Sequence, residues 1–135
     1  KKVPETHGDI VKFARWRNPV NQMTVIFRRD AAMRAGNYQP MQSFEDMWLW
    51  CRMIQSGCRF YNLQEPLVHA RAGYGMIQRR SGFGYAKAEF RLLREIHRIH
   101  FYSHAQYLAN AVVRIPLRFI PARLLNLVFV RLLRR

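Results

Sequence analysis

The chain has 135 residues, of which 50% are hydrophobic and 13% are aromatic. That apolar content excludes a disordered tail, and 7 Gly, 6 Pro and 2 Cys exclude collagen-like, low-complexity and disulfide-scaffold proteins. A net charge of +15 leaves nucleic acid, an anionic membrane surface or a phosphorylated small molecule as partner classes. The length suits one small domain or a piece of a larger one, and the two unpaired thiols favour a reducing, cytosolic compartment.

The first third alternates short apolar segments with turn residues. Residues 9–15 can form two helical turns, and residues 23–27 are a β-branched apolar run typical of a buried strand. Asp30 is a good N-cap for a brief helix to residue 35. Gly36 and Asn37 tolerate the left-handed conformation that ends such a helix. The pattern therefore predicts a strand followed by a short helix.

Residues 43–57 carry the clearest helix signal in the chain. Ser43 can cap the helix, two acids lie in its first turn, and Gly57 fits the position after its end. Four apolar residues recur at the spacing of one helical face and predict its core stripe, namely Met47, Trp50, Cys51 and Ile54.

The second half begins with residues 59–63 and 67–71, which are predicted as short strands. A Gly-bearing basic loop follows over residues 72–84. Helices are expected over residues 85–102, over 105–115 and again after Pro121. This order predicts an α/β fold class, with too few strands to close a parallel sheet, so that the chain is expected to be the C-terminal part of an α/β protein.

Glu45 and Asp46 are the carboxylates best placed for chemistry. They open a helix after a loop, where the positive end of the helix dipole favours an ionised carboxylate that can act as a general base. The same residues also fit a structural role, because Ser43 and Asp46 have the spacing of a capping box. The residues alone favour capping.

A wider set of residues resembles the bacterial family 2 glycosyltransferases with a GT-A fold. The set includes Asn18-Pro19, the apolar run 23–27, Gly36-Asn-Tyr38, Glu45-Asp-x-x-Leu-Trp-x-Arg52 and Gly57. The likeness covers about residues 4–80 and is dense over 17–62. It implies that the full-length protein transfers a sugar from a nucleotide-sugar donor to a hydroxyl acceptor, with inversion, in cell-surface polysaccharide synthesis. The acceptor implied is a saccharide or a lipid-linked one.

The resemblance also implies roles for individual residues. Asp46 would be the general base and Glu45 would help to position the acceptor. Arg79 and Arg80 in the basic loop would hold the donor diphosphate, for which two guanidiniums are chemically suited, although a solvated loop is an equal alternative. Two further residues would contact the acceptor, namely Gln22, where many relatives have His, and Trp48, for which packing is favoured.

The metal ligands of this family are not expected within the chain. The resemblance implies Mg²⁺ or Mn²⁺ held by an Asp-x-Asp motif that would precede it, so the metal ligands here are unknown. His69 is expected to pack in a strand. His97, His100 and His104 share a helical face if the helix is continuous, but without a nearby carboxylate a solvated basic face is favoured.

The resemblance divides the chain into an acceptor-side part of the catalytic domain, residues 1–84, and a basic helical extension, residues 85–135. In the extension, Arg recurs among Leu, Val and Phe, which favours a helix lying on an anionic membrane at the cytoplasmic face. The alternative is that these helices pack on the rest of the protein with Arg outward. Two alternative functions are a nucleic-acid-binding module and a non-catalytic membrane adaptor. Nucleic acid is not the expected partner, because the Arg residues alternate with apolar ones.

Overall fold

The structure is a computed structural model that describes residues 3–69 and 80–120. Its regular elements are all helical, and their bounds are α1 His7–Ala14, a short 3₁₀ helix Gln22–Thr24, α2 Arg29–Arg34, α3 Glu45–Gln55, α4 Phe83–Arg98 and α5 His104–Leu117. The segments predicted after residue 120 and most of the basic loop lie outside the described residues. The division at residue 84 stays a prediction.

The predicted α/β fold class is wrong for the part of the chain that the structure describes, since it contains no strand. The apolar run 23–27 begins in the 3₁₀ helix and continues as unpaired chain, with Ile26 98% exposed. Residues 59–63 also lack a ladder, and the Asn62 N–H donates instead to the Glu5 carbonyl at 3.1 Å. A β-branched run becomes a strand only where another strand supplies hydrogen bonds. Residues 67–69 are irregular, and the rest of that predicted strand is outside the description.

Helix α3 forms where the sequence predicted its main helix, but its start differs. Its N-cap is Phe44, with no side-chain cap, and Ser43 has a φ of +65° instead of capping the helix. Asp30 likewise lies inside α2, whose N-cap is Arg28. The predicted core stripe of α3 is confirmed, because Met47, Trp50 and Cys51 are buried and Ile54 packs against the core.

Two apolar clusters meet on α3. One face of the helix, including Met47 and Cys51, packs with Leu92 and Ile96 of α4 and with Tyr102. The other face, including Leu49 and Trp50, packs with the alanines of α2 and with Val20. The helix is therefore buried on both sides, which fixes the position of its N-terminal carboxylates.

Helices α4 and α5 form a hairpin closed by residues 99–103. Helix α5 begins with a capping box in which the Ser103 hydroxyl accepts from the Gln106 N–H and the Gln106 side chain accepts from the Ser103 N–H. The break at residue 99 is earlier than predicted, and His100 there has a φ of +59°. The hairpin encloses Glu89, which is 0% exposed.

Buried Glu89 forms ion pairs with two arginines, one in α5 and one at the C-terminal end of α5. Its carboxylate accepts from the Arg114 guanidinium at 2.6 Å and from Arg118 Nη2 at 3.0 Å. Arg114 also lies against the carbonyl of Trp16 at 3.5 Å, and Asn110 donates to the carbonyl of Arg15 at 3.0 Å. This network joins α4, α5 and the segment that follows α1.

Candidate functional site

The Asp46 carboxylate lies in the first turn of α3, where two segments of the chain meet. One oxygen, Oδ2, accepts from the Asn18 amide at 2.7 Å, and Oδ1 accepts from the Met47 N–H at 2.7 Å. Asn18 is itself held in place, because its Oδ1 accepts from the Val20 N–H at 3.2 Å. The carboxylate is thus oriented from both sides while remaining only part-buried.

The surroundings of Asp46 adjust its basicity in opposing directions. Burial is the largest effect and raises its pKa above the ordinary Asp value, with a smaller contribution from the charge of Glu45. The bonds from Met47 and Asn18 favour the charged form and offset part of that rise. A carboxylate with a raised pKa accepts a proton more readily, as a general base requires.

Glu45 lies beside Asp46 and is also part-buried. The residue before it, Phe44, packs its ring on Tyr85 of α4 with centroids 4.9 Å apart. The Arg118 guanidinium lies 4.8 Å from the centroid of the same Tyr85 ring. The start of α3, which carries the two acids, is therefore packed against the α4–α5 hairpin through the contact between Phe44 and Tyr85.

Trp48 lies one turn along α3 and is only 6% exposed. Its Nε1 donates to Gln39 Oε1 at 3.0 Å, and the Arg52 guanidinium lies 4.9 Å from its ring centroid. Packing, the favoured interpretation of this residue, is what the structure shows. Trp48 also lines a cavity of about 270 Å³ together with Arg91 and Glu95 of α4.

Arg52 fixes the turn between α2 and the loop before α3. It donates to the carbonyls of Ala35 and Asn37 at 2.6 Å each. Gly36 lies between these carbonyls with a φ of +83°, and a Cβ there would be 2.9 Å from Arg52 Nη1. Two separate segments of the family resemblance, the turn Gly36-Asn-Tyr38 and Arg52, are thus joined by hydrogen bonds.

The remaining predicted site residues are not brought together with Asp46 by any contact the structure shows. Gln22 is exposed in the 3₁₀ helix. Arg80 is exposed just before α4, and its carbonyl accepts from Arg118 Nη1 at 3.4 Å. Arg79 lies outside the described residues. The roles of these side chains stay predictions.

The histidines of the hairpin do not form a metal site. His97 stacks on Tyr107 with centroids 5.1 Å apart and lies 4.5 Å from the His104 ring. His100 lies beyond the end of α4 with a φ of +59° and lines a cavity of about 410 Å³ with the other two histidines. Within residues 3–69 and 80–120, no group of three or more His, Cys, Asp or Glu side chains could hold a metal ion.

Sequence reasoning did not single out Asn18 as a partner of Asp46, nor Glu89 as a buried charge. Asn18 was visible only as part of an Asn-Pro pair, whose contact with residue 46 spans 28 positions. Glu89 did carry a signal, because it occupies a core position of α4 between the buried Ala86 and Leu93. An acid at such a position predicts a buried cationic partner.

Comparison with known proteins identifies several glycosyltransferases. An uncharacterised glycosyltransferase of Haemophilus influenzae is 35% identical over the whole chain, which covers 50% of that protein. The amylovoran biosynthesis glycosyltransferase AmsE of Erwinia amylovora is 42% identical over 70% of the chain and 35% of its own length. The UDP-Gal:α-D-GlcNAc-diphosphoundecaprenol β-1,3-galactosyltransferase of Escherichia coli is 30% identical over the whole chain and 49% of its own length.

No family model and no solved structure matches the chain. The chain spans about half the length, or less, of the curated relatives it matches. The predicted resemblance to glycosyltransferases is confirmed by these relatives, and the assignment to family 2 stays a prediction. The predicted GT-A fold, which is α/β, is not what the described residues show. Over the part that it spans, this chain is similar in sequence to bacterial glycosyltransferases, one of which is named for amylovoran biosynthesis.

Proposed function

We propose that this chain is the acceptor-side part of an inverting glycosyltransferase in which Asp46 is the general base. The observation that carries the proposal is the Asp46 carboxylate, which is oriented by Asn18 and Met47 at the start of a buried helix. The relationship to named glycosyltransferases supports the reaction class. The donor is a nucleotide-sugar.

The reaction needs one base on the acceptor side. As the acceptor oxygen attacks the anomeric carbon, its proton passes to Asp46, and the bond from that carbon to the nucleoside diphosphate breaks on the opposite face. The electron pair of that bond leaves with the diphosphate. The raised pKa of Asp46 suits this step, because the carboxylate takes the proton more readily than an exposed Asp. Glu45 would position the acceptor hydroxyl.

The donor diphosphate requires cationic groups. Arg80 is exposed, and the atom with which it accepts from Arg118 is its backbone carbonyl, not its guanidinium. Together with Arg79 it is proposed to bind the diphosphate oxygens. The described residues do not fit a divalent metal, so the proposed Mg²⁺ or Mn²⁺ would be bound by an Asp-x-Asp motif outside this chain.

The acceptor is proposed to be a lipid-linked saccharide. The E. coli relative is named for a diphosphoundecaprenol-linked acceptor, and all of this chain aligns with 49% of that protein. Gln22 is exposed and can offer its amide to a sugar hydroxyl. Trp48 is 6% exposed and would contact the acceptor only from the cavity next to α4.

The test is sugar turnover by the full-length protein carrying Asp46→Asn. The substitution keeps the size of the side chain but removes the base, and its single acceptor oxygen keeps one of the two bonds donated by Asn18 and Met47. Turnover should fall about 10²-fold or more at unchanged fold. Asp30→Asn is the matched control, because Asp30 is an exposed carboxylate in the first turn of another helix and pairs with Arg34 at the surface. Circular dichroism checks the fold of both variants. Equal turnover by both would return Asp46 to a structural role.

A further inference from the structure

The arginines of α5 do not face solvent. Arg114 is the only residue with a full formal charge inside α5, and Arg118 follows directly at its C-cap. Both side chains turn inward to the buried Glu89, so that they are only 17% and 19% exposed. This arrangement differs from both alternatives given by the sequence, in which the arginines would contact an anionic membrane or would face outward from helices packed on the rest of the protein.

Because its cations turn inward, α5 presents an uncharged apolar face to the outside. Positions 105, 108 and 112 recur at i, i+3 and i+7, which places them on one face. Leu108 is 60% exposed, Val112 is 71% exposed, and Phe119 just beyond the helix is 57% exposed. Exposed apolar area concentrated on one helix is typical of a contact surface.

Helix α4 supplies a row of alternating aromatic and cationic side chains beside this face. Residues 83, 87, 90 and 94 recur at i, i+4, i+7 and i+11, so Phe83, Lys87, Phe90 and Arg94 share one exposed face. Arg91 and Arg98 flank them and are also exposed. The Phe90 ring lies 6.4 Å from Tyr107, which precedes Leu108, so the row borders the apolar face of α5.

We infer that this outer face of the α4–α5 hairpin, defined by Phe83, Lys87, Phe90, Arg94, Leu108, Val112 and Phe119, docks on a bilayer that contains anionic lipid. Apolar side chains enter the boundary between headgroups and acyl chains, and the cations bind lipid phosphates. Among the described residues, the unpaired charge on this face of α4 is positive, which favours an anionic bilayer. The nearest described carboxylate of α4 on this side, Glu95, is already paired with Arg94 and Arg98.

The proposal places this face of the hairpin at the membrane surface. Within the described residues, no helix combines the length and hydropathy that a transmembrane segment needs. Glu89 has a specific part in this arrangement, because its two ion pairs keep Arg114 and Arg118 out of the apolar face of α5. The inference goes beyond the proposed reaction and does not depend on it.

The test is co-sedimentation of the full-length protein with vesicles of phosphatidylcholine mixed with phosphatidylglycerol, compared with phosphatidylcholine alone. The double variant Lys87→Gln, Arg94→Gln should bind the anionic vesicles about 30-fold more weakly, from the usual contribution of each basic residue near such a surface. The matched control is Lys12→Gln, Arg34→Gln, which removes two exposed cations from α1 and α2. It should change binding less than about threefold.

A second variant tests the apolar part. Leu108→Ser with Val112→Ser should weaken binding at least about tenfold, because both side chains leave water on docking. Equal binding by the hairpin and control variants would overturn the inference, as would no preference for anionic vesicles. Light scattering that showed the serine variant to break a dimer, with vesicle binding unchanged, would assign the face to a second copy instead. Turnover of a soluble acceptor analogue in the same variants tests the reaction separately.

Discussion

Replacement of Glu89 by Gln tests the buried network at the centre of the hairpin. The substitution preserves the shape of the side chain but removes its charge, so that Arg114 and Arg118 keep their positions without a counter-ion. Glu89 is 0% exposed and the two guanidiniums are less than one-fifth exposed, so water can compensate only in part. Breaking a buried pair from one side costs about 3–5 kcal/mol of the free energy of unfolding.

The network in this chain has features that favour the upper part of that range. Two cations lose their partner at once, and Arg118 also contacts the ring of Tyr85, which supports Phe44. Urea unfolding followed by circular dichroism should therefore show a much lower midpoint for Glu89→Gln than for the unmutated protein, at a similar slope. The slope matters because a change in it would indicate a different unfolded state.

The matched control for this prediction is Glu95→Gln on the same helix. Glu95 pairs with Arg94 and Arg98, which are 57% and 69% exposed, so its loss should cost within about 1 kcal/mol. The triple replacement Glu89→Leu, Arg114→Met, Arg118→Met removes all the buried charges together and should recover much of the stability. If Glu89→Gln and Glu95→Gln unfold at the same urea concentration, the argument from burial is wrong.

Three further predictions follow from contacts described above. Asn18→Leu removes a donor that favours the charged form of Asp46, so the pKa of Asp46 should rise further and the acidic limb of the kcat/KM profile should move to higher pH; an unmoved limb would separate the two residues functionally. Cys51 is fully buried, with its pKa raised by burial, whereas Cys58 is partly exposed, so a thiol reagent should modify only Cys58 in the native protein and both in denaturant. Gly36→Ala should lower the free energy of unfolding by at least about 1 kcal/mol in urea, because φ is +83° and the new Cβ meets a guanidinium at 2.9 Å; unchanged stability would mean that the turn relaxes freely.

Helical periodicity was the most informative signal in the sequence. The spacing of Met47, Trp50 and Cys51 identified the buried face of α3 because burial depends on positions 3 and 4 apart, which one sequence displays directly. The two hairpin helices were also predicted, with their break moved by a few residues. Helix caps were less predictable, since Ser43 and Phe44 compete locally and the backbone at Ser43 turns left-handed.

Strands and paired charges could not be predicted in the same way, because each depends on a distant partner. The run 23–27 has strand composition, but strand formation requires a hydrogen-bonded neighbour, and the described chain offers none to it. The orientation of Arg114 likewise depends on Glu89, 25 positions earlier. Asp46 was recognised as a candidate base from the resemblance, while its partner Asn18 became visible only through the geometry.

The contact between Phe44 and Tyr85 connects the start of α3, where Asp46 lies, with the α4–α5 hairpin, whose outer face is proposed to contact the membrane. Tyr85 belongs to the first turns of α4, and Phe44 immediately precedes the two acids. The separation between Asp46 and the outer face of the hairpin is therefore set by packed side chains and not by a flexible connection. On the proposed docking, a saccharide anchored in a bilayer would meet the Asp46 carboxylate at one fixed height, and the proposal then implies selection by the number of sugar units between the lipid and the reactive hydroxyl.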